Sequence, residues 1–152
     1  MADTDSRPTG GVDPAEFART IARSPDDQLD QGMRSPFRTL ILDEIFARME
    51  EHFEPRRARG LDAQLDWKIL DRPEGGYDHY RVTISNGTCT VARDPGDGRP
   101  RVTFRVKPVD FLKLVTGNAS GPALMVRGRL RIKGDLVLAA RLQQLFQIPR
   151  AR

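Results

Sequence analysis

Cysteine occurs once, histidine twice and lysine four times in these 152 residues, and each scarcity closes off a class of function. The single Cys89 permits no internal disulfide and no multi-cysteine zinc site, a usage that fits a reducing compartment. It follows a tight turn with no lysine or second cysteine beside it, so it reads as a small hydrophobe on a half-buried strand. His52 and His79 are not in metal-ligand spacing, and no serine stands in a nucleophile elbow. Both histidines therefore read as surface residues, with no catalytic residue, no metal ligand and no cofactor expected. Long apolar runs are lacking too: the longest is the five residues Leu136 to Ala140, too short to span a bilayer. The opening Met1-Ala2-Asp3-Thr4-Asp5 has neither the basic nor the apolar region of a signal peptide, so the expected location is the cytoplasm.

The formal net charge is +4, with arginine and lysine together numbering 25. Arginine supplies all but four of those, in a chain also rich in alanine, glycine and proline, which points to codon bias in a GC-rich genome. The overall basicity is no argument for a nucleic-acid partner, and only local clusters of charge carry weight. Arg127, Arg129, Arg131 and Lys133 are the densest such cluster. No aromatic residue is interleaved to stack on bases, which leaves two readings: transient contact with an anionic membrane, or protection of an edge strand against aggregation.

Residues 1–12 are polar and aperiodic and read as a disordered leader. Asp13-Pro14, Ser24-Pro25 and Ser35-Pro36 then recur as helix starts, an N-cap residue followed by proline. The short helices that result, with Phe17 and Ile21, then Leu29 and Met33, on narrow apolar stripes, predict a helical cap over 13–34. A longer helix follows from Phe37 to Phe53, its apolar side formed by Phe37, Leu40, Ile41, Ile45, Met49 and Phe53 and widened by Leu42 and Phe46. Leu61, Ala63, Leu65, Trp67 and Ile69 alternate with Asp62, Gln64, Asp66 and Lys68, which predicts a strand with one buried and one wet face. Asp62 and Asp66 fall on the wet side, too far apart along a strand for paired-carboxylate chemistry. Tyr80, Val82 and Ile84 mark a second strand, Asn86-Gly87 a two-residue hairpin turn, and Cys89 and Val91 a third strand. Gly75-Gly76 and Gly96-x-Gly98 lie in connecting loops and read as turn glycines.

The remaining stretch is the most densely organised. Val102, Phe104 and Val106 alternate with polar residues as a strand. Pro108 opens a helix carrying Phe111, Leu112, Leu114 and Val115, which Gly117 ends. Leu124, Val126, Gly128, Leu130 and Ile132 share one parity of a predicted fifth strand, with the basic cluster on the other. Asp135 caps a last helix whose apolar side is Leu138, Leu142, Leu145 and Phe146. The predicted class is α+β.

Two motifs here, Asp110-Phe111-Leu112-Lys113-Leu114-Val115-Thr116-Gly117 and Gly128-Arg129-Leu130-Arg131-Ile132-Lys133-Gly134-Asp135, resemble the sterol carrier protein 2 (non-specific lipid-transfer) family, in a stand-alone, bacterial-type form. The similarity covers about residues 36 to 148. It implies a five-stranded mixed sheet in the order 3-2-1-4-5, covered by helices around an internal apolar cavity, with residues 35–152 as the lipid-binding domain. It further implies carriage of a fatty acid, fatty acyl-CoA or sterol-like ligand without chemistry. The candidate wall is Phe104, Val106, Phe111, Val115, Leu124, Val126, Leu130, Ile132, Leu138, Leu142 and Phe146. From the residues alone a filled core and a hollow one are indistinguishable, and a small isomerase or cyclase using the same pocket stands as the alternative. Such an enzyme needs a general base aimed inward, where the strands carry apolar residues.

Overall fold

In a computed structural model the structure describes residues 13–145, with the side chains of residue 14 and of residues 142–145 outside that description. The helices are α1 (Pro14–Arg23), α2 (Asp26–Arg34), α3 (Arg38–Glu51), α4 (Pro108–Val115), α5 (Gly121–Val126) and α6 (Leu136–Leu145). The strands are β1 (Ala63–Ile69), β2 (Asp78–Ser85), β3 (Thr88–Arg93), β4 (Val102–Val106) and β5 (Leu130–Gly134), and a 3-10 turn spans Pro55–Ala58. The five strands form one sheet in the order β3-β2-β1-β4-β5. All pairs are antiparallel except β1–β4, the product of the long crossover through β2 and β3. The expected α+β class and strand order are therefore present.

Local chemistry accounts for most boundaries. Asn86 and Gly87 both have positive φ, 53° and 75°, which matches the twist of the β2–β3 hairpin. Asp13 accepts a hydrogen bond from the Glu16 amide and caps α1. Ser24 and Ser35 do something different from the expectation. Their hydroxyls donate back to the carbonyls of Thr20 and Gly32, so they close the preceding helices, and α2 and α3 begin at Asp26 and Arg38 without a side-chain cap. Gly117, at φ 76°, ends α4, and Asp135 accepts from the Leu138 amide at the start of α6.

Two expected elements are corrected. The alternation from Leu124 to Ile132 is not one strand: residues 121–126 form α5, and β5 begins only at Leu130. Ser120 accepts from the Ala123 amide and Pro122 occupies the first turn, so a capped helix forms where the apolar parity suggested extended chain. In α3 the side facing the sheet is set by Leu42 and Phe46, with Arg38 buried beside them. Phe37 and Leu40, expected on that side, are 65% and 66% exposed, because they lie nearly half a turn away from the stripe of Arg38, Leu42 and Phe46.

The N-terminal helices rest on α4, where Asn118 donates to the carbonyl of Ala18 and Lys113 pairs with Asp26. Ile21, Leu29 and Met33 join the same buried cluster as the sheet residues. A buried ion pair pins α3 to the sheet. Arg38 Nε lies 2.8 Å from Asp78, and its remaining donors reach the carbonyls of Ile69, Leu70 and Asp71 at the end of β1. Both partners are nearly fully buried, and removing Asp78 leaves the Arg38 guanidinium with backbone carbonyls alone, at a cost of roughly 3–5 kcal/mol, whereas Asp78 keeps Arg93 if Arg38 is removed.

Candidate functional site

The alternation of the strands gives the sheet two unlike faces. Helices cover the inner face, where five aromatic rings meet. Trp67 stacks on Phe104 at 4.2 Å and Phe46 on Tyr80 at 4.1 Å, while Phe111 of α4 lies 5.5 Å from Phe46 and 5.4 Å from Trp67. Val102, Val106, Leu112, Leu114, Leu124, Leu130 and Leu138 extend this buried surface towards α5 and α6. Among its rings lies an unpartnered polar atom. The indole Nε1 of Trp67 is buried with no hydrogen-bond partner, in a residue only 1% exposed. A donor left unsatisfied in this way costs about 1–3 kcal/mol.

The structure brings together eight of the eleven candidate wall residues. Phe104, Val106, Phe111, Leu124, Leu130 and Leu138 are buried in one cluster, and Val115 and Ile132 pack against it half-buried. Val126 is placed differently: it is 88% exposed, because the helical turn of α5 points it away from Leu124, two residues earlier. The Leu142 side chain and Phe146 lie outside the described residues. Sequence parity also overlooked two inward polar groups, Tyr80 and Asp78. Tyr80 donates to Asp43 at 2.7 Å and accepts from Arg93 at 2.6 Å. Burial and then the Asp43 hydrogen bond raise its pKa far above the ordinary value. Asp78 is held by Arg38 and Arg93. Cys89 is half-buried on the edge strand β3, and burial, with the Glu50 charge second, pushes its thiol up to about 12.

The outer face was expected to be wet, with Asp66 and His79 solvated. At its centre it is dry and organised. Asp66 is only 2% exposed, and its carboxylate takes Arg81 Nε at 2.8 Å on one oxygen and His79 Nε2 at 2.6 Å on the other. Burial works to raise the Asp66 pKa, but the hydrogen bonds from Arg81 and His79 outweigh it and hold the carboxyl below its ordinary 3.8. Arg81 also donates to the Asp97 carbonyl, which ties the 94–100 loop across the face. Gly98 leaves the room for this: a Cβ there would fall 2.4 Å from the Arg81 guanidinium. Between loop and strands lies a cleft of about 560 Å³ lined by Asp66, Lys68, His79, Arg81, Arg99 and Thr103 among others. Asp66 and Arg81 are adjacent only because β1 and β2 pair in the register Asp66↔Arg81, and no local signal in either strand announces that register.

The basic cluster is also split by the fold. Arg131 and Lys133 belong to β5 and take the outer parity, Arg127 ends α5, and Arg129 reaches to Asp110 of α4 at 3.3 Å. It is not one continuous basic strip. No group of three or more His, Cys, Asp or Glu side chains able to hold a metal occurs among the described residues. No described helix is long and apolar enough to cross a membrane.

Comparison with known proteins gives a consistent family. The SCP-2 sterol transfer family matches residues 42–147. Sterol carrier protein 2 of Homo sapiens is 31% identical over 106 residues, covering 70% of this chain but 19% of its own length. That of Rattus norvegicus is 29% identical over 127 residues, covering 82% of this chain and 22% of its own length. The chain thus spans about a fifth of these relatives. Among solved structures, sterol carrier protein 2 like 2 of Aedes aegypti superposes with a TM-score of 0.56 at 21% identity, over 71% of this chain and 94% of that one. The sec-alkyl sulfatase PisA1 shares the fold over 68% of this chain and 16% of its own, with a TM-score of 0.61 at 17% identity. From a match that spans all five strands and helices α4 to α6, the chain belongs to the SCP-2 sterol transfer family.

Proposed function

We propose that this protein binds an apolar lipid between the inner face of the sheet and helices α4, α5 and α6, and carries it between membranes without altering it. The observation that carries the reading is the family match combined with the chemistry of the inner face. The strands and helices of residues 42–147 that define the match also supply Phe104, Phe111, Leu124, Leu130 and Leu138. Val106, Val115, Ile132, Leu142 and Phe146 complete the proposed wall, with Val126 at its outer margin. Residues 35–152 form the lipid-binding unit and 13–34 its cap, acting in the cytoplasm. A solved relative of Aedes aegypti, SCP2L2, is described in its palmitated form, which points to a fatty acid or its acyl-CoA ester ahead of a sterol-like ligand.

The unpartnered Trp67 Nε1 favours a ligand with a hydrogen-bond acceptor over a pure hydrocarbon. Burying about twelve methylenes at ~0.8 kcal/mol each yields roughly 10 kcal/mol gross, and association costs of several kcal/mol leave a micromolar dissociation constant. Exchange with a membrane is assigned to the end of α5 and the start of α6. Val126 is 88% and Met125 41% exposed beside Arg127, and Leu136 and Val137 are 56% and 74% exposed. Apolar groups beside an arginine suit the boundary of an anionic bilayer. Contact through Arg127, with Arg129, Arg131 and Lys133 adding longer-range attraction, is weakened by salt.

The competing reading is a small isomerase or cyclase using the same face, and it needs an inward general base. Asp78 and Tyr80 are the inward-facing candidates on the strands, and both are engaged by Arg93, with Arg38 and Asp43 as their further partners. Displacement of a fluorescent fatty acid from wild type and from Leu138→Trp tests the proposal. The tryptophan should fill the space and cut affinity at least about tenfold (~1.4 kcal/mol). Unchanged affinity in a folded variant would move the ligand elsewhere.

A further inference from the structure

The outer face of the sheet carries a second feature that lipid carriage does not use. The strand registers place Lys68 opposite His79, Arg105 opposite Lys68 and Arg131 opposite Arg105, so a histidine, a lysine and two arginines line up across β2, β1, β4 and β5. Like charges directly opposite one another on a sheet are destabilising, so the row works against the fold. Among the described residues Lys68, Arg105 and Arg131 have no carboxylate within ion-pair distance. What lies between two of them is the ring of Tyr77, 5.0 Å from Lys68 Nζ and 6.0 Å from the Arg105 guanidinium carbon.

The row does not lie on a bare surface. Lys68 and His79 form one wall of the 560 Å³ cleft, whose far side is the 96–100 segment with Arg99 at its rim. The carboxylate of Asp66 at its floor is already spent on Arg81 and His79 and cannot neutralise the row. Asp97 is the one other acidic residue in the lining. The volume is that of a small-ligand site, while the open, polar lining suits a charged ligand, and cations without a carboxylate partner define its class.

We infer that this cleft is a second binding site, on the face of the sheet opposite the lipid, and that it takes the phosphate groups of an anionic ligand, with Lys68 and Arg99 of its lining as the principal contacts and Arg105, opposite Lys68 on β4 but outside the lining, adding longer-range attraction. Phosphate suits it because its several oxygens accept from neighbouring cations at once, spreading charge that the strands force together.

Titration of the 152-residue chain with sodium pyrophosphate, followed by amide NMR shifts against sodium chloride at equal ionic strength, tests the inference. Saturating shifts are expected at Lys68, His79, Gly98 and Thr103. Lys68→Ala combined with Arg99→Ala should weaken binding by about tenfold or more, the size of losing a charge-assisted contact. Fatty-acid affinity should not change in that variant, which separates this site from the lipid reading. A parallel flotation assay with phosphatidylcholine vesicles, with and without phosphatidic acid, assigns the source. Pyrophosphate binding lost in the double variant indicates a soluble phosphate ester, and vesicle binding alone, lost in the same variant, indicates a lipid head group. Neither ligand binding, or binding indifferent to the double variant, overturns the inference.

Discussion

The two faces of one strand, β1, are built on opposite principles. Towards the helices, Leu65, Trp67 and Ile69 are fully buried among aromatic and aliphatic side chains. Away from them, Asp66 and Lys68 take part in an arrangement of charges with one buried carboxylate at its centre. The inner face gains its stability from burial, with each stacked aromatic pair adding about 0.5–1.5 kcal/mol beyond area. The outer face gains little and in places loses, since its cations repel. The lesson is that alternation in a strand reports which side is apolar but not whether the other side is idle. Here the polar side has a dry centre and its own cleft.

The sharpest way to break the comparison is to empty the inner face. Phe111→Ala should cost about 3–5 kcal/mol, read by chemical denaturation, because it removes a ring that touches both Phe46 and Trp67. A loss below 1 kcal/mol would mean that this face is loosely filled.

Asp66→Ala is the corresponding test of the outer face. It leaves Arg81 without its carboxylate but with the Asp97 carbonyl still in place, so the expected cost is at the low end for a broken buried pair, about 3 kcal/mol. The sign with pH follows from the depressed pKa. The wild-type contribution is complete above the ordinary value of 3.8 and is lost as pH falls through the lower folded value. Wild type should therefore lose its advantage over Asp66→Asn on acidification below about pH 4, and equal slopes for the two proteins would place Asp66 in solvent.

Trp67→Phe separates packing from polarity on the inner face. The ring contact with Phe104 is largely kept while the unpartnered donor goes, so stability should shift by no more than about 1 kcal/mol. Affinity for palmitate should fall by about tenfold if Nε1 donates to the carboxylate, with a hydrocarbon of equal length unaffected. The smallest effect is expected from Lys68→Gln or Arg105→Gln: within about 0.5 kcal/mol and on the stabilising side, as one like-charge neighbour disappears.

Much of the architecture was legible because it is written locally. The Asn86-Gly87 turn, the strand alternations, Gly117 and the Asp135 cap each act within a few residues, and together they mark out most of the elements. The misread segment, 121–126, also had a local signal: Ser120 and Pro122 form the same cap-and-proline pattern that marks α1, and the apolar parity running on into Leu130 masked it. The exposed Phe37 and Leu40 show a different limit, since six apolar residues in α3 define a side wider than the sheet can cover. The Asp66–His79–Arg81 cluster was not legible at all. Its members are separated by 13 and 15 residues, and strand register, a tertiary property, brings them together.

Where a bound acyl chain lies is the central question, and isotope-filtered NOE spectroscopy on the protein with uniformly carbon-13-labelled palmitate answers it directly. The account predicts contacts from the chain methylenes to Phe104, Phe111, Leu130 and Leu138 and none to Lys68, Thr103 or Arg105. Contacts to the outer-face residues, or no intermolecular contacts at saturating ligand, would contradict it.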